Sequence, residues 1–128
     1  MNHVKVDKAE ESPDVVLGTL FVNSTPARVL FDTVASHSFV SNIFATQNKL
    51  PLVSMAKPLV VKSPGTRTQT SKISHGNQIL IGGHLFLASL MLLGNSDIDV
   101  ILGMDWLKAN KAKIDCAEQS ITDRKSVV

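Results

Sequence analysis

Leu30-Phe31-Asp32-Thr33-Val34-Ala35-Ser36-His37-Ser38-Phe39 is the stretch on which the reading of this chain turns. The apolar run Ala27-Arg28-Val29-Leu30-Phe31 has strand character and delivers one carboxylate, Asp32, into a small, hydroxyl-rich turn. A carboxylate at the end of a buried strand needs partners. Thr33, Ser36, Ser38 and the N–H groups of the turn are the candidates. An isolated Asp-Thr pair more often caps a loop than does chemistry. What sets this one apart is a second segment later in the chain, Asp99-Val100-Ile101-Leu102-Gly103-Met104-Asp105-Trp106-Leu107, in which two apolar residues and a glycine lead into a short helix.

Working outward, Asp14 to Val22 is strand-like, with Gly18 as a candidate bulge or close-approach point. Asn23-Ser24-Thr25-Pro26 has turn chemistry and predicts a hairpin with Ala27–Phe31. Ser41 is placed to cap a short helix reaching about Asn48, with Phe44 inward, and Pro51 follows. Leu59–Lys62 and Gln69–Ile73 flank Ser63-Pro64-Gly65-Thr66 as a polar-tipped hairpin. Asn77–Ile81 and His84–Leu93 flank Gly82-Gly83 as a tighter one, and Ile98–Leu102 is a further strand. These elements predict an all-β domain over 14–128, a small closed β-barrel with one or two short helices. A flexible lead-in precedes it at 1–13.

The chain has 128 residues and 44% hydrophobic residues, enough for one modest core. A net charge of +2, on scattered Lys and Arg, gives no ground for nucleic-acid binding. Met1–Lys5 lacks the apolar centre of a signal peptide, and His84–Leu93 is too short to span a bilayer. The single Cys116 cannot form an internal disulfide. It fits a reducing, cytoplasmic compartment and reads as a half-buried structural thiol. Asp97, Asp99, Asp105 and Asp115 lack the spacing of a calcium loop, and Asp105 reads as the cap of a helix starting at Trp106. His3, His37, His75 and His84 are dispersed, so no metal or other cofactor is expected. His37 and Ser38 are too close in sequence for a converging Ser/His triad, and Trp106 reads as core.

Taken together, the two segments resemble the retropepsins, the aspartic proteases of retroviruses and LTR retrotransposons, and within them the gypsy-type retroelement proteases. The family loop reads Asp-Thr-Gly-Ala-Ser-His-Ser-Phe. Residues 32–39 match it at every position except Val34, which stands where the family has glycine. Ile101-Leu102-Gly103, followed by Met104-Asp105-Trp106-Leu107, matches the later family element.

The resemblance implies a homodimeric aspartic endopeptidase that processes a retroelement polyprotein inside the cell. Its two Asp32 residues would form one catalytic pair. It further implies that Thr33 grips the twin loop, that Ala35 must be small, and that Ser36 hydrogen-bonds near the carboxylate. Ser63, Pro64, Gly65 and Thr66 are implied to close as a flap over an extended peptide. No metal is implied. Val34 puts two methyl groups where backbone approaches backbone, so the domain is expected to fold with reduced catalysis. The alternative reading is an inactive protease-fold module that dimerises or binds peptides.

Overall fold

In the computed structural model, which describes residues 2–5, 15–63, 66–111, 113–115 and 120–123, strands dominate and two six-residue helices interrupt them. β2 (Val15–Val22) and β3 (Thr25–Asp32) form a hairpin whose register runs unbroken from Val15↔Asp32 to Val22↔Thr25. The bulge expected at Gly18 is therefore absent, and Gly18 simply pairs with Val29. The turn is tighter than its sequence suggested. Only Asn23 and Ser24 lie in it, at φ 51° and 67°, because two positive-φ residues give a turn whose twist matches the flanking strands. Thr25 and Pro26 consequently belong to β3.

The chain then passes through β4 (Phe39–Ser41) into α1 (Asn42–Gln47). The Ser41 side chain accepts from the Phe44 N–H at 3.2 Å, so the expected cap is present. β5 (Val53–Ser63) and β6 (Thr66–Ile81) form a long hairpin. The two short strands expected at 69–73 and 77–81 are one continuous 16-residue strand. A register shift between Ser74 and Asn77 contains Gly76 at φ 72°, a bulge that bends the strand without ending it.

β7 (His84–Leu93) returns after Gly82-Gly83, both at positive φ, as the glycines required. β8 (Val100–Leu102) leads into α2 (Met104–Ala109). The helix begins two residues earlier than expected, because the Gly103 backbone and not the Asp105 side chain occupies the cap position.

The strand order β2-β3-β8-β4-β7-β6 closes on itself through β2–β6 pairing, a six-stranded barrel with β5 carried outside on β6. The expected all-β barrel is thus the observed one. A separate three-stranded sheet joins β1 (Asn2–Lys5), β10 (Ser120–Asp123) and β9 (Lys113–Asp115). Part of the stretch expected as a flexible lead-in therefore has a ladder partner, His3↔Thr122 and Val4↔Ile121, which engages the backbone groups that face β10. Cys116 lies outside the described residues.

Alternation along the strands fills the barrel with Val16, Val22, Val29, Phe31, Val40, Ile79, Ile81, Phe86, Leu90, Val100 and Leu102, all essentially inaccessible. Trp106, as expected, is core. Its ring packs against Phe31 (centroids 6.0 Å apart) and edge-on to Phe86 (5.8 Å), which anchors α2 beneath β3. Ser74 and Asn77 are polar residues sealed into this region. Asn77 donates to the Ser74 carbonyl and hydroxyl and to the Ala88 carbonyl, and accepts from Asn23. The bulge and the β2–β3 turn are thereby tied together.

Candidate active site

Asp32 is the last residue of β3, and β3 runs parallel to β8 in the register Val29↔Val100, Leu30↔Ile101, Phe31↔Leu102. The two sequence segments are therefore neighbours at the same end of two adjacent central strands. β8 is fixed there by Asp99. Its side chain accepts from the Arg28 N–H at 2.8 Å, its N–H donates to the Arg28 carbonyl at 3.0 Å, and its carbonyl accepts from Ser41 N–H at 2.9 Å.

Beyond the strand ends, the Asp32 loop folds over the start of α2. Oδ1 of Asp32 accepts from the N–H of Val34 at 2.8 Å and of Ala35 at 3.3 Å. Of the candidate partners for the carboxylate, the turn's own N–H groups are thus the ones that hold this oxygen and orient a half-buried carboxylate. The loop is then clamped. Met104 N–H donates to the Ala35 carbonyl at 2.8 Å and Asp105 N–H to that of Ser36 at 3.3 Å.

Ser38, fully buried, takes the Gly103 N–H at 3.0 Å and donates its hydroxyl to Asp105 Oδ1 at 2.6 Å. The same carboxylate oxygen accepts from the Trp106 N–H at 2.7 Å. Asp105 therefore works as a bracket between loop and helix, where sequence reading had it only as a cap. We expect Ser38→Ala to cost about 2 kcal/mol by leaving Gly103 N–H and the Asp105 carboxylate short of a partner. A denaturant titration checks this, and an unchanged midpoint would mean that the bracket contributes nothing.

The remaining loop residues fall as follows. Thr33 and Ser36 are exposed, and Ala35 and His37 are half-buried. Ser36 contributes its backbone carbonyl to the clamp. Val34 is 72% exposed and is not among the positive-φ residues, so nothing within the subunit demands glycine at that position. Ser63 and Thr66 face each other as Cα partners at the ends of β5 and β6. Pro64 and Gly65, the other two flap residues, lie outside the described residues.

One feature was not visible in the sequence. Leu30 lies two residues before Asp32 and so shares its side of β3. Register carries that side across to Ile101 on β8, Phe39 on β4 and Met91 on β7. Leu30, Ile101 and Met91 are half-buried and Phe39 is nearly covered, which makes an apolar wall beside the carboxylate. Each residue reads singly as core, and only the ladder joins them. The arrangement offers one oriented carboxylate on a rigid loop, flanked by a surface suited to apolar side chains.

Comparison with known proteins agrees with this geometry. A family model described as retroviral aspartyl protease matches residues 1–127. No curated protein sequence matches the chain. Among solved structures, the retroviral protease-like domain of Ddi1 from Leishmania major superposes with a TM-score of 0.67 at 15% identity, over 88% of this chain and 90% of that one. EIAV protease complexed with the inhibitor HBY-793 superposes with a TM-score of 0.62 at 22% identity, over 86% of this chain and 99% of that one.

Proposed function

The chain belongs to the retroviral aspartyl protease family, and on that premise we propose that it is an aspartic endopeptidase whose site is completed by a second copy of itself. The observation that carries this reading is the single Asp32 loop, held against α2 and presenting its carboxylate at the end of β3. Two such loops meeting at a dimer axis place two carboxylates side by side. Two carboxyl groups at close range share one proton, so that one serves as base while the other serves as acid. The ionised member takes a proton from a water as its oxygen attacks the scissile carbonyl carbon. The protonated member gives its proton to the carbonyl oxygen. Collapse of the tetrahedral intermediate breaks the C–N bond as the amine leaves with a proton, and the shared proton is restored.

In this scheme Thr33 holds the twin loop, Ala35 stays small for packing, and Ser36 hydrogen-bonds near the pair. Ser63, Pro64, Gly65 and Thr66 close over an extended peptide bound by its main chain. Leu30, Ile101 and Phe39 supply the wall for apolar side chains next to the bond that breaks. The substrate class is a polyprotein of a gypsy-type LTR retroelement, processed inside the cell.

Val34 favours a second reading, a protease-fold module that dimerises or binds peptide without cutting it. Its side chain projects from the loop, so its effect falls on whatever approaches: the twin loop and the peptide. We expect Val34→Gly to raise kcat/KM by at least about tenfold, equivalent to about 1.4 kcal/mol of transition-state positioning. Stability should change by no more than about 1 kcal/mol. The test is cleavage of an apolar-centred peptide at mildly acid pH, with and without a statine-type transition-state mimic, for both chains. Statine-sensitive cleavage supports the enzyme. Peptide binding with no cleavage by either chain leaves the module.

A further inference from the structure

β6 changes partners at Ile73. From Ile73 to Ile81 its ladder is with β7, while from Thr66 to Lys72 it pairs with β5 alone, so the two strands leave the barrel there as an arm. Ile73 is the Cα partner of Met91, the last member of the apolar wall, and the arm therefore departs where that wall ends. Just on the barrel side of this point lies the bulge. Between Ser74↔Leu90 and Asn77↔Ala88, β6 has His75 and Gly76 against Ser89 alone on β7. An extra residue bends a strand and increases its twist, so the bulge sets the direction in which the arm departs. β5 is a poor second brace, since its own register to β6 breaks between Ser54 and Leu59.

Packing does not hold the bulge at Gly76, where a Cβ would find no atom within 4 Å. Side chains hold it instead, from both faces of the sheet. On the buried face the Asn77 amide nitrogen lies 3.0 Å from the Ser74 carbonyl oxygen, 3.2 Å from the Ser74 hydroxyl and 3.3 Å from the Ala88 carbonyl oxygen. It thus spans the bulge and reaches β7. Its oxygen accepts from the Asn23 amide at 2.9 Å, and Asn23 in turn accepts from the Gln78 N–H at 2.8 Å. On the exposed face His75 Nδ1 and the Ser89 hydroxyl are 2.8 Å apart, which joins an extra residue to the residue opposite it. A buried asparagine commonly does no more than satisfy nearby backbone. This one stands where the arm's direction is fixed. Without it the bulge keeps only a glycine at φ 72° and an exposed His–Ser contact as local restraints.

We propose that Asn77 is a positioning residue for the substrate cleft: by locking the Ser74–Asn77 bulge it fixes the pose of the β5–β6 arm, and so sets peptide affinity without touching the peptide. This rests on the protease reading, in which the arm covers an extended peptide. An arm freed of the lock takes up a range of directions, and that freedom is lost again when a peptide is bound beneath it. The ordering then counts against binding. His75 assists from the exposed face, where water competes for its hydrogen bond, and its share is smaller.

The experiment uses the full chain carrying Asp32→Asn, so that a peptide binds without being cut, at concentrations that favour the dimer. Calorimetry with an octapeptide built on a central Leu-Leu pair reads affinity and the number of competent sites separately. Adding Asn77→Ala is expected to weaken binding about tenfold, and adding His75→Ala about threefold, with the number of sites unchanged. A merely structural role would instead lower the number of competent sites and leave the affinity of those that remain. Ile81→Ala is the control: it removes a fully buried side chain on the barrel side of the bulge, so it should lower the thermal midpoint and keep the affinity within about twofold. Because His75 is exposed, its variant tests the lock even where Asn77→Ala fails to fold. Unchanged affinity in every folded bulge variant, with or without a loss of sites, overturns the inference and leaves the protease reading standing. An equal loss of affinity in Ile81→Ala overturns it as well. A parent chain that binds no peptide overturns both.

Discussion

Gly103→Ala is expected to destabilise the domain by on the order of 3 kcal/mol or more, a large part of what a small domain has to lose. A Cβ at this position would lie 2.2 Å from the His37 carbonyl oxygen and 2.7 Å from that of Ala35. Both are backbone atoms. Neither can swing away as a side chain does, and the Ala35 carbonyl is already bonded to Met104 N–H. Relief requires separating the Asp32 loop from α2, which breaks the Ser38–Gly103 and Ser38–Asp105 hydrogen bonds together. Gly94→Ala is the matched control. Nothing lies within 4 Å of its Cβ, and its effect should stay within about 0.5 kcal/mol. Denaturant midpoints for the two variants make the comparison, and equal midpoints would show that the loop does not rest on α2 as described.

Asp32→Asn is expected to leave the fold intact and to reduce cleavage by at least about a thousandfold. The amide oxygen of asparagine can accept the same Val34 and Ala35 N–H groups, so the loop keeps its shape. What it cannot do is share a proton with a twin carboxylate. Folding measured by circular dichroism and cleavage measured on one peptide separate the two effects. An Asp32→Asn chain that cleaves at an undiminished rate would remove Asp32 from the chemistry. One that no longer folds would assign it a structural role instead.

The parts legible in the sequence were those carried by local chemistry. Apolar alternation and turn residues marked β2, β3 and β7, Ser41 marked α1, and the order of the Asp32 loop and Ile101-Leu102-Gly103 marked two central strands that prove to be paired in parallel. Other features depended on contacts distant in sequence. Ser38 read as a hydroxyl for Asp32, yet its partner is Asp105, because α2 docks behind the loop and brings a second carboxylate closer to it.

Residues 74–76 lay between the strands expected at 69–73 and 77–81. The ladder to β7 and the buried Asn77 side chain carry β6 through them as a bulge. The strand at Asn2–Lys5 was invisible for a related reason: its partner lies at the other end of the chain. The apolar wall beside Asp32 follows the same rule, since a row of residues on four strands exists only once register is fixed.

The central claim is that two chains make one site, and the most direct test is cleavage rate per chain as a function of chain concentration, measured alongside mass. Specific activity should rise with the dimer fraction and fall away on dilution into monomer. Adding Asp32→Asn chain in excess should suppress it further, as each active subunit becomes paired with a partner that cannot complete the dyad. A rate per chain that stays constant down to concentrations where only monomer is present, and that is indifferent to the Asp32→Asn chain, would contradict the account.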